Sequence, residues 1–277
     1  MTATKPFVGK TVWVTGSSRG LGRVMAAHFA GLGAAVAVHG TTPTSARAFG
    51  EADSLESVAS AIASQTGARV VPVFGDLTDE AQVRAAAEKV RAALGRIDVL
   101  VTNAGGDIGS AGTGGPKGGK PAVNDAVGVG LDDIRVVMDR NLLSCVLVCR
   151  EVAPEMMARR SGRIITVGSV SGLSGRVEGA IYSVAKAAVH QYTRCLAAQL
   201  RPYDVPVNCV APGGTITPRF TATGQADPTV LAKAGTLEGY GRPEDIAETV
   251  AFLAGEGAGH ISGQVIRVDG GHQLWPC

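Results

Sequence analysis

The chain has 277 residues, enough for one large α/β domain or two small ones. Hydrophobic residues make up 45% and charged residues 18%, so a sizeable core is available and disorder throughout is excluded. The 26 Lys and Arg against 24 Asp and Glu give a net charge of +2 without a basic cluster, and aromatics reach only 4%, which together argue against a nucleic-acid partner.

The start, Met1 to Pro6, lacks the apolar run of a signal peptide, and the longest mostly apolar stretch, Val24 to Val38, falls short of a membrane span. A cytoplasmic protein with no membrane partner is expected. The first β-rich run, Thr11–Thr15, enters Gly16-Ser17-Ser18-Arg19-Gly20-Leu21-Gly22 and then a helical segment. A strand, a Gly-rich turn and a helix N-terminus together form a cradle for a pyrophosphate, because backbone N–H groups and the helix dipole face the anion. The second run, Ala35–Val38, ends in His39-Gly40-Thr41-Thr42 with no carboxylate. The third, Val70–Phe74, contains Pro72, which marks an edge or irregular strand. Asp76 and Leu77 follow it. Residues 79–94 place Val83, Ala86, Ala87, Val90 and Leu94 on one helical face. The fourth run, Asp98–Thr102, leads into Asn103-Ala104-Gly105. Gly105 to Gly130 follows, with ten Gly in 26 residues, and is expected to form a rim loop.

The remaining runs are Arg163–Val167, Pro206–Val210 and Gln264–Val268, with a helix from Ile181 to Leu200 between the first two. Segment 214–240, with Pro218, Gly224, Pro228, Gly235 and Gly239, is expected to be a substrate lid. Strands that are continuous apolar runs belong to sheets covered on both faces. The alternation predicts a single α/β domain over residues 1–277: a Rossmann-type, doubly wound, parallel seven-stranded sheet with helices on both faces. Five Cys (145, 149, 195, 209 and 277) inside apolar segments read as core thiols of a reducing compartment, and no spacing supports a metal site. His28, His39, His190, His260 and His272 are scattered and read as structural or surface residues, with His39 placed to stack near an adenine.

The turn T-G-x-x-x-G-x-G after the first strand resembles that of the short-chain dehydrogenase/reductase family, and the resemblance continues in order along the chain. It implies an adenine contact at Asp76 with Leu77 beside it, the N-A-G turn at Asn103, Ala104 and Gly105, and a catalytic set of Asn141, Ser169, Tyr182 and Lys186. It also implies a P-G turn beside the nicotinamide at Pro212-Gly213, followed by Thr217. Remaining cofactor contacts are expected at Gly16, Ser18, Arg19, Gly20, Leu21, Gly22, His39 and Thr41, with Tyr182 and Lys186 shared between cofactor and chemistry. The nearest general resemblance is to 3-ketoacyl-carrier-protein reductases.

The residues support the same chemistry. Tyr182 and Lys186 are four apart in a helical segment and share one face, where a cation stabilises a phenolate. Ser169, at the end of the fifth strand, is placed to hold a substrate oxygen. The expected reaction is hydride transfer between nicotinamide and a carbonyl or secondary alcohol. The small-molecule substrate is a ketone or 3-oxoacyl-type compound. NAD-selective versions carry Asp or Glu about 20 residues past the Gly turn, and none stands there here. Arg19 suits a 2′-phosphate, so NADP(H) is favoured, with NAD(H) as the alternative cofactor of a sugar or polyol dehydrogenase. A catalytically silent NADP-binding regulator is the reading from another class. The resemblance also implies a homotetramer built on the helix from Ile181 and the one around Asn141–Ala153, the former being apolar on more than one face.

Overall fold

The computed structural model describes residues 5–274. Strand β1 (Thr11–Val14) is followed by α1 (Gly20–Gly31), β2 (Ala35–Gly40), α2 (Leu55–Thr66), β3 (Val70–Phe74), α3 (Glu80–Leu94) and β4 (Val99–Thr102). A single distorted turn, α4 (Pro116–Gly119), precedes α5 (Leu131–Met138), which passes through a π turn at Asp139–Leu143 into α6 (Ser144–Arg159). Then come β5 (Arg163–Val167), α7 (Ala180–Leu200), β6 (Val207–Pro212), the short α8 (Pro218–Ala222) and α9 (Pro228–Leu231), α10 (Pro243–Ala254) and β7 (Val265–Val268).

The seven strands form one parallel sheet in the order β3-β2-β1-β4-β5-β6-β7. The chain runs outward one way through β2 and β3, returns to β4 beside β1, and runs outward the other way. That reversal opens a crevice at the carboxyl ends of β1 and β4, where ligands of such sheets bind. Pro72 sits in β3, which pairs only with β2, so its missing N–H faces the open edge. All seven predicted strands form. β2 and β6 each run two residues further than predicted, to Gly40 and Pro212. Their ladders continue to Phe74 and Val268, and neither added residue breaks the pairing.

Alternate residues of β1 point to the two faces. Val12 and Val14 join Met25, Phe29, Val58 and Val250 under α1, α2 and α10, whereas Trp13 joins Val83, Val90, Val148 and Leu196 under α3, α6 and α7. Full burial of one such aliphatic side chain is worth about 1.5–3 kcal/mol, so neither face can be left uncovered. Helix α3 starts where Asp79 accepts from the Gln82 N–H as N-cap, and α2 is capped likewise by Ser54. Cys145, Cys149 and Cys209 are buried thiols, as expected. Cys195 is exposed, because its position on α7 faces outward, and Cys277 lies outside the described residues.

Residues 105–130 form an ordered, packed excursion. Asp107 and Ile108 are buried, Gly109 N–H donates to Gly119 O, and the Ser110 N–H and hydroxyl both donate to Asp133. Segment 214–240 is stapled at its ends by the parallel bridge Thr215–Gly241, with Gly241 N–H donating to Gly214 O and Ile216 N–H to Gly241 O. Among the described residues, no helix is long and apolar enough to cross a membrane.

Candidate active site

One cavity of about 1530 Å³ occupies the crevice, and every cofactor and catalytic residue predicted from sequence except Asn141 lines it. The volume exceeds the 300–1,000 Å³ usual for a single small ligand, so there is room for a dinucleotide and a second molecule.

The Gly turn is braced from below. Ser17 Oγ donates to Val14 O and accepts from His39 N–H, and Asn103 Nδ2 donates to Thr15 O (3.1 Å) and Gly16 O (3.0 Å). Gly16 has φ +62°, and a Cβ on it would stand 2.7 Å from Ala104 Cα, so only Gly fits both the conformation and the space. Helix α1 then begins with no side-chain cap from Arg19 and no acidic residue in its first turn. Glu51 Oε2 takes the Gly20 N–H, but the first turn of an α-helix carries further N–H groups beside the Gly turn, and these fit a dinucleotide pyrophosphate.

His39 is a brace too. Gly16 N–H donates to Nδ1 (3.1 Å), which fixes the neutral tautomer, and Nε2–H donates to Gly75 O (3.1 Å). With both nitrogens engaged, any adenine contact falls to its ring carbons. Burial pushes this imidazole down to about 4. His190, under β5, is held at about 4 by burial and then by Lys186 and Arg194. The unfolded histidine titrates near 6.5. Below that value the unfolded chain binds protons that the folded one excludes. Stability is therefore complete above pH 6.5 and falls as pH drops toward 4, by up to about 3 kcal/mol per histidine. Urea unfolding followed from neutral pH to about pH 4.5 should show this loss, and a flat midpoint would contradict it.

At the adenosine end, the Arg19 guanidinium donates to Ser45 O (2.7 Å) and lies 5.6 Å from the centre of the Phe49 ring. Thr41 and Ser45 line the same recess, and Asp76 Oδ1 accepts from Thr78 N–H and hydroxyl. Sequence reading missed Glu51. Its Oε2 accepts from Gly20 N–H (2.8 Å), and its buried Oε1 has no partner among the described residues. The carboxylate thus arrives from the β2–α2 connection, well past the position where sequence reading seeks one.

At the other end the predicted four come together. Lys186 is buried, donates to Val167 O (2.8 Å), and holds Nζ 5.7 Å from the centre of the Tyr182 ring. Ser169 caps the turn after β5, its Oγ accepting from Ser171 N–H. Asn141 sits in the π turn, a distortion often found at functional sites. Its amide donates to Gly106 O and Val137 O and accepts from Gly106 N–H. A Cβ on Gly105 would stand 2.5 Å from Asn141 Oδ1 and 3.4 Å from Lys186 Nζ, so this turn, the Asn and the Lys are in close contact.

The family model of short chain dehydrogenases matches residues 10–228. The chain belongs to that family. It is 38% identical over 280 residues to a cyclohexanol dehydrogenase of Rhodococcus sp. (strain TK6), covering 98% of each chain. It is 33% identical over 265 residues to a 3-oxoacyl-acyl-carrier-protein reductase of Aquifex aeolicus, covering 95% of this chain and 97% of the other. Among solved structures, levodione reductase superposes with a TM-score of 0.81 at 27% identity, covering 96% of this chain and 98% of that one. The protein is thus an oxidoreductase of CH–OH and C=O groups that uses a nicotinamide cofactor.

In this short-chain dehydrogenase two further cations border the site unannounced by any motif. Arg219, on α8, donates through Nε to Gly118 O (3.0 Å) and through Nη2 to Asp107 O (2.5 Å). Lys120 stands 4.0 Å from Asp107 Oδ2 and also donates to Gln225 Oε1. Both come from the Gly-rich excursion and segment 214–240, whose folding together no local pattern encodes.

Proposed function

We propose that this protein is an NADP(H)-dependent ketone or 3-oxoacyl-type reductase in which Tyr182 exchanges the proton. The reading is carried by one juxtaposition: Lys186 Nζ, buried and 5.7 Å from the Tyr182 ring centre, in the cavity that the Gly turn opens. When bound, the nicotinamide supplies or accepts the hydride. Tyr182 donates the proton to the carbonyl oxygen during reduction and takes it back during oxidation, so the carbonyl gains one hydride at carbon and one proton at oxygen to become the alcohol. Lys186 stabilises the phenolate left behind, and its two other protons are available to ribose hydroxyls. Ser169 orients the substrate oxygen. Asn141 has one lone pair remaining on Oδ1, so it acts chiefly as a positioning residue that locks Gly106 to the π turn. The similarity to cyclohexanol dehydrogenase and to 3-oxoacyl-acyl-carrier-protein reductases supports a carbonyl with a carbon skeleton on both sides.

NADP(H) rests on Arg19 with Thr41 and Ser45, a guanidinium and hydroxyls around the recess where a 2′-phosphate fits. Arg19→Ala should cut kcat/KM with NADPH roughly ten- to hundredfold while NADH stays within about threefold. Steady-state kinetics with both cofactors on a ketone panel measures this, and equal losses would overturn it. Glu51 favours a second reading, NAD(H), since its unpartnered Oε1 can accept from a ribose hydroxyl. Glu51→Gln separates the two readings: NADPH use rises if a 2′-phosphate sits nearby, and NADH use falls if a hydroxyl does. The protein is also proposed to act in the cytoplasm as a homotetramer, with the exposed Leu143 and Val184 of the π turn and α7 on the contact face. Sedimentation of the wild type tests the assembly.

A further inference from the structure

We infer that the substrate carries an anionic group, a carboxylate, and that Arg219 receives it. This rests on the carbonyl-reductase reading above and names the substrate class of the same site. Of the cations lining the cavity, Lys120 has a carboxylate within 4 Å, whereas the arginines have none among the described residues. Lys120 faces Asp107, whose Oδ2 also accepts from Asn124 Nδ2 (2.8 Å). Glu178 accepts from Gln225 Nε2 (2.6 Å), and Arg176 donates to Ser171 Oγ (3.0 Å). Arg219 is one of these arginines, with Arg19, Arg140 and Arg176, and the one beside Gly106. Its two bonds go to backbone carbonyls, which carry no net charge, and among the described residues no carboxylate lies within 4 Å of it. Burial, the largest influence on it, pushes the guanidinium down from its ordinary value. A buried cation without a counter-charge is costly and calls for an anion.

The geometry says where that anion would bind. Nε and Nη2 are engaged, which fixes the plane of the guanidinium, and the remaining Nη1 lies 3.6 Å from the Cβ position of Gly106. Gly106 follows Gly105, whose own Cβ position touches Asn141 and Lys186. Arg219 and Tyr182 line one cavity, and the Tyr182 oxygen acts on the Arg219 guanidinium against the effect of its burial. A carboxylate on Nη1 therefore belongs to a molecule whose carbonyl reaches Tyr182. A bound dinucleotide would bring a second anion, its pyrophosphate, into the cavity. It would fit along the Gly turn at the start of α1, whereas Arg219 is held by the carbonyls of Asp107 and Gly118.

The test uses matched substrates on the whole protein: pyruvate, acetoacetate and levulinate, each against its methyl ester, with NADPH and NADH. The wild type should prefer at least one acid over its ester by roughly ten- to hundredfold in kcat/KM. In Arg219→Lys and Arg219→Leu that ratio should collapse toward one. Because it is a ratio within each variant, a general loss from a loosened loop cancels. An ester preferred to its acid throughout, or a ratio unchanged by both variants, overturns the inference and leaves the reductase reading standing. A ratio unchanged while the dissociation constant of NADPH, read by its fluorescence, weakens tenfold reassigns Arg219 to the pyrophosphate and overturns it too. No turnover of any acid, ester or neutral ketone by the wild type would instead sink the reductase reading itself.

Discussion

Tyr182→Phe should lower kcat for ketone reduction by roughly 10²–10⁴-fold, the usual contribution of a positioned general acid. NADPH should bind within about twofold of the wild type. Phe keeps the ring packed on α7 and removes only the hydroxyl, so the face shared with Lys186 survives. Lys186 is tied to Val167 O independently of Tyr182, and its ammonium does not move when the hydroxyl is deleted. The cofactor cradle at Gly16–Gly22 is braced by Asn103, Ser17 and His39, none of which involves α7. A fall in kcat with an unchanged dissociation constant is the signature of an interaction made in the transition state. Stopped-flow reduction and NADPH fluorescence titration read the two quantities separately. Retained turnover would remove Tyr182 from the proton path and leave Ser169 as the remaining hydroxyl at the end of β5.

The parts of the site that sequence reading found are those written in short, local patterns. Tyr182 and Lys186 share a face because a helix repeats every 3.6 residues, and the Gly turn follows β1 because a strand must stop before a helix begins. Pro72 marked the edge strand through one missing N–H. What escaped comes from side chains carried in by long connections. Glu51 reaches Gly20 from 31 positions away, and Arg219 reaches Asp107 across 112. No periodicity links such pairs; only the packing of one loop against another places them. Buried hydrogen bonds were equally hidden. His39 stands where an adenine neighbour is expected, yet which atoms its nitrogens meet depends on the depth of the ring, and depth is set by tertiary packing. Asn141 likewise sits at its expected position, but the orientation of its amide follows from a π turn that the sequence around it does not announce.

Gly22→Ala should abolish high-affinity dinucleotide binding and cost stability at once. A Cβ at Gly22 would stand 2.3 Å from Gly16 O, 2.5 Å from Asn103 Nδ2 and 2.8 Å from Ser17 Cα. Two of these neighbours are backbone, so no rotamer change relieves the overlap. Either α1 slides away from the turn or the turn opens, and Asn103 loses its bond to Gly16 O in both cases. Overpacking of this kind costs about 1–3 kcal/mol. Displacement of the N–H cradle by even about 1 Å is expected to weaken NADPH binding a hundredfold or more. Gly31→Ala is the matching control: it lies at the far end of α1, exposed, and an added Cβ there meets nothing within 4 Å. That variant should bind NADPH normally and gain up to about 1 kcal/mol from the reduced freedom of the unfolded chain. Urea midpoints and fluorescence titrations of the two variants separate a general effect of Ala in α1 from an effect of the turn. Normal NADPH binding by Gly22→Ala would mean that the dinucleotide does not rest on this turn, and Arg19 would then lose its place beside the 2′-phosphate.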